Sequence, residues 1–137
     1  MTGRPRRRRS LKVLFCCTGN RMRSITAAHL LKKRGGHEVR SAGTHAAEIW
    51  GGGTQLTQDH LEWADRIVVF EHMHVEYIRS RFGPTLGRKA RCELVNLNVP
   101  DMFPAFDPKL IEILNAHLDR LFRATGSRSD TADPLRT

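Results

Sequence analysis

A cysteine and an arginine six positions apart follow the first apolar run of the chain. Residues 13–24 read VLFCCTGNRMRS, so that Cys17 ends the run and a glycine–asparagine pair precedes Arg23 and Ser24. Glycine and asparagine adopt the left-handed backbone angles of a tight curl more easily than other residues. Such a loop directs backbone N–H groups at one point, and the positive end of a following helix adds to their field. The pattern therefore predicts an anion-binding loop.

The same loop contains the parts of a reaction at phosphorus. A helix N-terminus favours the thiolate form of Cys17, which is the nucleophilic form. The planar guanidinium of Arg23 can hold two phosphate oxygens, and the hydroxyl of Ser24 can donate to the thiolate. A buried cysteine and a solvated arginine are the ordinary fates of these residue types, so the strand–loop–helix context carries the prediction. The other predicted substrate-binding residues of the loop are Thr18, Gly19, Asn20, Arg21 and Met22.

Short β-rich runs alternate with helical segments along the rest of the chain. The predicted strands are 11–16, 38–41, 66–70 and 93–99, and the predicted helices are 24–34, 54–63, 73–82 and 108–123. This alternation predicts an α/β fold with three layers, a four-stranded parallel sheet with helices on both faces. In such folds the ligand site lies at the carboxyl ends of the strands, where the strand order switches. The loop after the first strand is therefore in the right place.

Charge and composition set the domain boundaries. Five of the nine net positive charges lie in the first nine residues. We predict a basic disordered arm over 1–10, one catalytic domain over 11–124 and a disordered tail over 125–137. The arm has no aromatic residue for stacking on single strands, which makes nucleic acid an improbable partner.

Other function classes find little support in the sequence. No apolar run reaches the roughly 20 residues of a membrane span, and there is no secretory signal pattern, so the expected location is the cytoplasm. The three cysteines do not form a disulfide framework or a zinc pattern. We expect no metal and no cofactor.

The segment 13–24 resembles the signature of the low-molecular-weight protein tyrosine phosphatases, an apolar strand followed by C-x-x-N-x-x-R-S. The likeness extends through 41–44, 64–69 and 99–101 and covers roughly 11–122, closest to the short bacterial branch with a CxxNRxRS loop. The resemblance implies phosphomonoester hydrolysis of a phosphorylated protein or small aryl phosphate. Cys17 would form a phosphocysteine intermediate, Arg23 would bind the oxygens, and Asn20 would fix the loop. Cys16 has Met22 six positions on and is out of register.

The resemblance also requires an aspartic acid to protonate the leaving group. Asp101 follows the fourth predicted strand in a Val-Pro-Asp segment, although methionine replaces the proline that usually follows. Asp107 precedes a proline, as in the family, but aspartate followed by proline is also a common helix start. We expect Asp101 to be the acid and keep Asp107 as the alternative.

Two aromatic residues are candidates for the walls of the substrate pocket. Trp50 lies in a loop where the family often has an aromatic wall, and Phe103 lies just beyond Asp101. Aromatic walls would favour an aryl phosphate such as phosphotyrosine.

Three other functions compete with a phosphatase. An arsenate reductase uses a similar loop. The relay type needs two further cysteines and only Cys92 lies downstream, which leaves a thiol-dependent arsenate reductase as the alternative. The others are a phosphate- or phosphoprotein-binding module without catalysis, and a nucleic-acid module that uses the arginine arm.

Overall fold

The computed structural model describes residues 10–122. Residues 1–9 of the arm predicted over 1–10, and the whole of the tail predicted over 125–137, lie outside these residues. Four strands and four helices alternate along the described chain. They are β1 Lys12–Cys17, α1 Arg23–Arg34, β2 Glu38–Gly43, α2 Gln58–Trp63, β3 Arg66–Val69, α3 His72–Arg88, β4 Glu93–Asn96 and α4 Pro108–Leu121.

The four strands form one parallel sheet in the order β2-β1-β3-β4. The predicted α/β architecture is therefore confirmed. From β1 the chain moves first to β2 on one side and then to β3 on the other. The strand order switches beside the carboxyl end of β1, which is where the predicted loop begins.

Two apolar cores, one on each face of the sheet, fix the layers. Alternate side chains of β1 enter opposite cores, because successive residues of a strand point to opposite faces. Val13 and Phe15 pack with the buried leucines of α1 and α4, whereas Leu14 packs with residues of α2 and α3 such as Leu61. The sheet thus lies between two helical layers.

Several predicted boundaries are wrong for local reasons. The second helix begins at Gln58, because Gln55 pairs with Gly43 in an isolated bridge and Thr57 is extended. The third helix continues to Arg88 through Pro84, with a break at Phe82, whose φ and ψ are −124° and 21°. The last strand ends at Asn96, and Asn98 turns the chain with a φ of 55°. No helix within residues 10–122 has the length and apolar character needed to cross a bilayer.

Candidate active site

The loop from Cys17 to Ser24 joins the end of β1 to the start of α1. Asn20 has a φ of 55°, the left-handed geometry that its residue type predicted. Helix α1 begins at Arg23 with neither a side-chain cap nor an acidic residue in its first turn. Its first N–H groups have no helical partners and remain available to an anion.

Backbone hydrogen bonds on the outside of the loop fix the direction of its amides. The carbonyls of Cys17 and Thr18 accept from the N–H groups of Thr44 and His45, at 2.8 and 2.9 Å, and the Gly19 carbonyl accepts from Gly53 at 3.1 Å. In a trans peptide the N–H points away from the C=O. The N–H groups of the residues that follow these carbonyls therefore point toward the inside of the loop.

Two glycines allow neighbouring segments to approach this loop. A Cβ on Gly43 would lie 2.6 Å from the Thr18 carbonyl oxygen, and one on Gly53 would lie 2.3 Å from Asn20 Oδ1. Both distances are shorter than any real Cβ contact. The two glycines therefore shape the outer wall of the loop.

A short network of side chains surrounds the sulfur of Cys17. Cys17 Sγ lies 3.1 Å from Ser24 Oγ, and Asn20 Nδ2 donates to the same hydroxyl at 2.8 Å. Asn20 Oδ1 in turn accepts from the N–H of Thr54 at 2.8 Å. Because Asn20 occupies the acceptor side of Ser24, the serine proton is free to be donated to a thiolate. All three side chains are buried.

Cys16 faces the other core and has different properties. Its side chain is fully buried, and burial followed by the neighbouring charge of Cys17 raises the pKa of the Cys16 thiol. A raised pKa keeps the thiol protonated, which is the unreactive form. The two adjacent cysteines therefore differ because consecutive strand residues face different environments.

Arg23 is almost completely buried, at 2% exposure, and is held from one side. Its Nη1 donates to Glu71 Oε2 at 2.5 Å and to the Val99 carbonyl at 2.8 Å. Within residues 10–122, Nε and Nη2 make no hydrogen bond, and Nε lies 3.9 Å from Asp101 Oδ1. A buried guanidinium fixed through one nitrogen leaves the rest of its fork for an anion.

The corner between β3 and α3 connects both ends of the loop. His74 Nδ1 accepts from the N–H groups of Phe70 and Glu71, at 3.3 and 3.0 Å. The neutral ring must then carry its proton on Nε2, which lies 2.9 Å from Thr18 Oγ1 and donates to it. Glu71 thus holds Arg23 while His74 holds Thr18, and one corner sets their relative position.

The environment of His74 predicts how stability depends on pH. The side chain is 1% exposed, and burial, followed by the charge of Arg23, lowers the pKa of His74 from 6.5 to about 4. The unfolded chain therefore binds more protons between these pKa values, and stability falls as the pH drops from about 6.5 toward 4. Urea unfolding should show a loss of up to about 3 kcal/mol from this group.

The control for this prediction is His74→Gln. Glutamine keeps an amide donor but does not titrate, so the variant should lose less stability between pH 7 and 5 than the unaltered protein. His60 and His117, whose pKa values are lowered mainly by burial, contribute a residual slope in both proteins. Equal slopes for the two proteins would contradict the role given to His74.

The two candidate acids occupy different places. Asp101 lies in the segment after β4, with its carboxylate 60% exposed and close to Arg23. Asp107 is the N-cap of α4, where its Oδ1 accepts from the N–H of Lys109 at 2.8 Å and Pro108 follows at the first helical position. Asp107 therefore caps a helix, and Asp101 stays the predicted acid.

The remaining predicted site residues lie around the loop. Arg21 is exposed, and Met22 is the N-cap residue of α1, with its carbonyl accepting from Thr26. Trp50 is 97% exposed and makes no buried wall, whereas Phe103 is half-buried against the core that contains Cys17. Phe103 is therefore placed where it could form a wall of the pocket, whereas the exposure of Trp50 gives its predicted role no support. Both roles stay predictions.

Sequence reasoning missed Glu71 and His74. Neither residue stands in a recognisable sequence motif, and within residues 10–122 no group of three or more His, Cys, Asp or Glu side chains could hold a metal ion. A signal was present, because both Glu71 and His74 closely follow the end of β3. Once β3 is placed beside β1, residues that follow its carboxyl end must lie near the loop.

Comparisons with known proteins agree with this geometry. No family model matches the chain. A protein-arginine-phosphatase of Geobacillus stearothermophilus is 34% identical in an alignment of 91 residues, and the alignment covers 52% of this chain and 62% of that protein. The match thus spans less than two thirds of the curated relative.

Solved structures extend the similarity over most of the fold. The tyrosine phosphatase Wzb from Escherichia coli K30, in complex with phosphate, superposes with a TM-score of 0.61 at 20% identity, over 82% of this chain and 96% of that one. A low-molecular-weight phosphotyrosine phosphatase from Vibrio cholerae O395 gives 0.56 at 22% identity, over 86% of this chain and all of the other. These similarities show that the chain has the fold of the low-molecular-weight protein tyrosine phosphatases.

Proposed function

We propose that the protein is a cysteine-dependent phosphatase that removes the phosphate from a phosphorylated side chain of a protein. The observation that carries this proposal is the arrangement of Cys17, Ser24 and Arg23. A sulfur 3.1 Å from a hydroxyl proton donor lies in the same loop as a buried guanidinium whose Nε and Nη2 make no hydrogen bond within residues 10–122. These are a nucleophile, a stabiliser of the leaving thiolate and a binding group for phosphate oxygens.

Two displacements at phosphorus follow from this arrangement. In the first, the Cys17 thiolate attacks phosphorus, the bond to the leaving oxygen or nitrogen breaks, and Asp101 protonates the leaving group. In the second, Asp101 takes a proton from water, the water oxygen bonds to phosphorus, and Cys17 leaves as a thiolate stabilised by Ser24. Arg23 and the inward N–H groups bind the non-bridging oxygens throughout.

The identity of the phosphorylated residue has two candidates. Phe103 and the tyrosine phosphatases among the structural relatives favour phosphotyrosine, whereas the curated relative and other structural relatives are arginine phosphatases. Initial rates with one peptide carrying either phosphotyrosine or phosphoarginine distinguish them. We place phosphotyrosine first, because the Phe103 ring lies two positions from the proposed acid.

An intramolecular arsenate reductase relay is disfavoured by the position of Cys92. Cys92 precedes β4 at the amino edge of the sheet, while Cys17 ends β1 at the carboxyl edge. Five residues of strand separate these levels, which is roughly 16 Å at about 3.3 Å per residue. A disulfide requires Cα atoms within about 7 Å, so these cysteines cannot pair without a large rearrangement.

The test is hydrolysis of p-nitrophenyl phosphate by the reduced protein at pH 5–7, beside thiol-dependent reduction of arsenate. Turnover of the aryl phosphate that exceeds arsenate reduction supports the phosphatase. Binding of phosphate without turnover would instead make the protein a binding module. Because the nucleophile must stay reduced, we place the protein in a reducing compartment, the cytoplasm.

Asp101→Asn should lower kcat by about 10²- to 10⁴-fold with phenyl phosphate, whose poor leaving group needs a proton. Asp107→Asn should leave kcat nearly unchanged, because asparagine is an equally good N-cap residue. Steady-state kinetics of the two variants at pH 6 measure the difference. If Asp107→Asn shows the larger loss, the roles of the two aspartates must be exchanged.

A further inference from the structure

We call the loop from Cys17 to Ser24 the phosphate loop. A cavity of about 830 Å³ lies between this loop and helix α3. We call it the α3 cavity and define it by Thr18, Thr44, His45, Met73, Tyr77 and Ser80, which line it. Its volume lies within the range of about 300–1,000 Å³ that ligand pockets occupy. Of these residues only Thr18 belongs to the phosphate loop, so the cavity is distinct from the phosphate-binding site itself.

The walls of the α3 cavity are aromatic and apolar. The rings of His45 and Tyr77 meet edge to face, with centroids 5.0 Å apart and an interplanar angle of 61°. Met73 is 52% exposed, although a methionine side chain is usually buried. Val75 also lines the cavity and is itself buried. An aromatic side chain would add a third ring to this pair and cover the exposed thioether.

Hydroxyl groups give the same cavity a polar side. Thr18 Oγ1 accepts from His74, and within residues 10–122 its own O–H has no acceptor. The hydroxyl of Tyr77 likewise has no hydrogen-bond partner in the described part of the chain. At the rim, His72 and Glu76 lie 3.1 Å apart, beside Arg79. Such a mixture of apolar walls with a few unpaired polar groups is typical of binding pockets.

The α3 cavity is joined to the phosphate loop through Thr18. Thr18 directly follows Cys17, and consecutive Cα atoms are about 3.8 Å apart. A peptide whose phosphorylated side chain enters the loop has neighbouring residues about 3.3 Å apart along an extended backbone. Residues one or two positions from the phosphorylated one can therefore reach a cavity that begins at the next residue of the loop.

We infer that the α3 cavity binds an aromatic side chain of the substrate protein, located within two positions of the phosphorylated residue. This inference rests on the proposed phosphatase function and extends it from a single phosphorylated side chain to a peptide. The phosphate loop supplies the chemistry, and the α3 cavity selects the sequence around the target. Small aryl phosphates do not occupy it.

The experiment uses seven-residue alanine-based peptides with a central phosphotyrosine. One peptide contains no other aromatic residue, and four others carry a single phenylalanine at −2, −1, +1 or +2. At least one of these four should have a kcat/KM about tenfold above the alanine peptide, as expected from burying part of an aromatic ring. This preference should disappear in Ser80→Trp, which fills the cavity from an exposed position of α3, and weaken in Met73→Ala.

Hydrolysis of p-nitrophenyl phosphate, measured on the same proteins, separates the two proposals. The rate of this hydrolysis should be unchanged in Ser80→Trp and Met73→Ala. Lys33→Trp is the control, because it changes an exposed position on α1 away from the cavity, and it should keep the peptide preference. Equal rates for all five peptides, or equal losses on peptide and small substrate, would overturn the role of the α3 cavity. Absence of any turnover by the unaltered protein would instead overturn the proposed phosphatase, and binding of the peptides to Cys17→Ser would then decide whether the cavity still prefers phenylalanine.

Discussion

Replacing Cys17 by serine should abolish turnover of p-nitrophenyl phosphate while the loop still binds phosphate. A serine hydroxyl at this position is a far weaker nucleophile than a thiolate, because it remains protonated at neutral pH. Loss of a catalytic nucleophile can cost about 10⁶-fold, so a decrease of at least about 10³-fold is expected. The backbone amides and Arg23, which bind the anion, are unchanged by the substitution.

Two measurements check this prediction. Acid quenching of the unaltered protein during turnover, followed by peptide mass spectrometry, should find a phosphoryl group on Cys17. Inorganic phosphate should still bind to Cys17→Ser in calorimetric titration. Cys16→Ala is the matched control and should keep most of the activity, because Cys16 faces the opposite core with a raised pKa. Full activity in Cys17→Ser would show that Cys17 is not the nucleophile and would contradict the phosphocysteine mechanism.

Arg23→Lys should produce the second large loss. Lysine keeps the charge but cannot donate to Glu71 and Val99 while also presenting a planar fork to phosphate. Removing one preorganised donor from a site of developing charge costs about 10²- to 10³-fold in kcat. Because the interactions strengthen as charge develops, kcat should fall more than KM rises.

Arg34→Lys is the matched control, since Arg34 belongs to the same helix but pairs with Asp119 at the protein surface. It should leave kcat and KM unchanged. Far-UV circular dichroism and thermal unfolding of both variants separate catalytic loss from unfolding. If Arg23→Lys is folded and as active as the unaltered protein, the guanidinium is not the phosphate-binding group.

Local patterns made the architecture and the loop predictable. The apolar run before Cys17 predicted a strand. The helix predicted over 24–34 ends at Arg34, before Gly35 with a φ of 77°. In the same way, Asp107 followed by proline predicted a helix start that the structure contains. Each of these features depends on residues close together in the sequence.

The supports of the loop were harder to predict, because they depend on strand order. Glu71 lies 48 positions from Arg23, and His74 lies 56 positions from Thr18. Neither Glu71 nor His74 belongs to a local sequence motif from which its hydrogen-bond partner could be predicted. The close approach of Gly43 and Gly53 to the loop could not be predicted either, since a glycine that permits close approach looks the same in sequence as one that permits a turn.

The outward hydrogen bonds of the loop carbonyls have a consequence for the end of the reaction. They orient the amides when the chain folds, so the loop has its anion-binding shape before any substrate arrives. Free inorganic phosphate has the same oxygens as the transferred group and fits the same shape. In the proposed reaction, release of this product must therefore compete with rebinding, and we expect free phosphate to slow turnover.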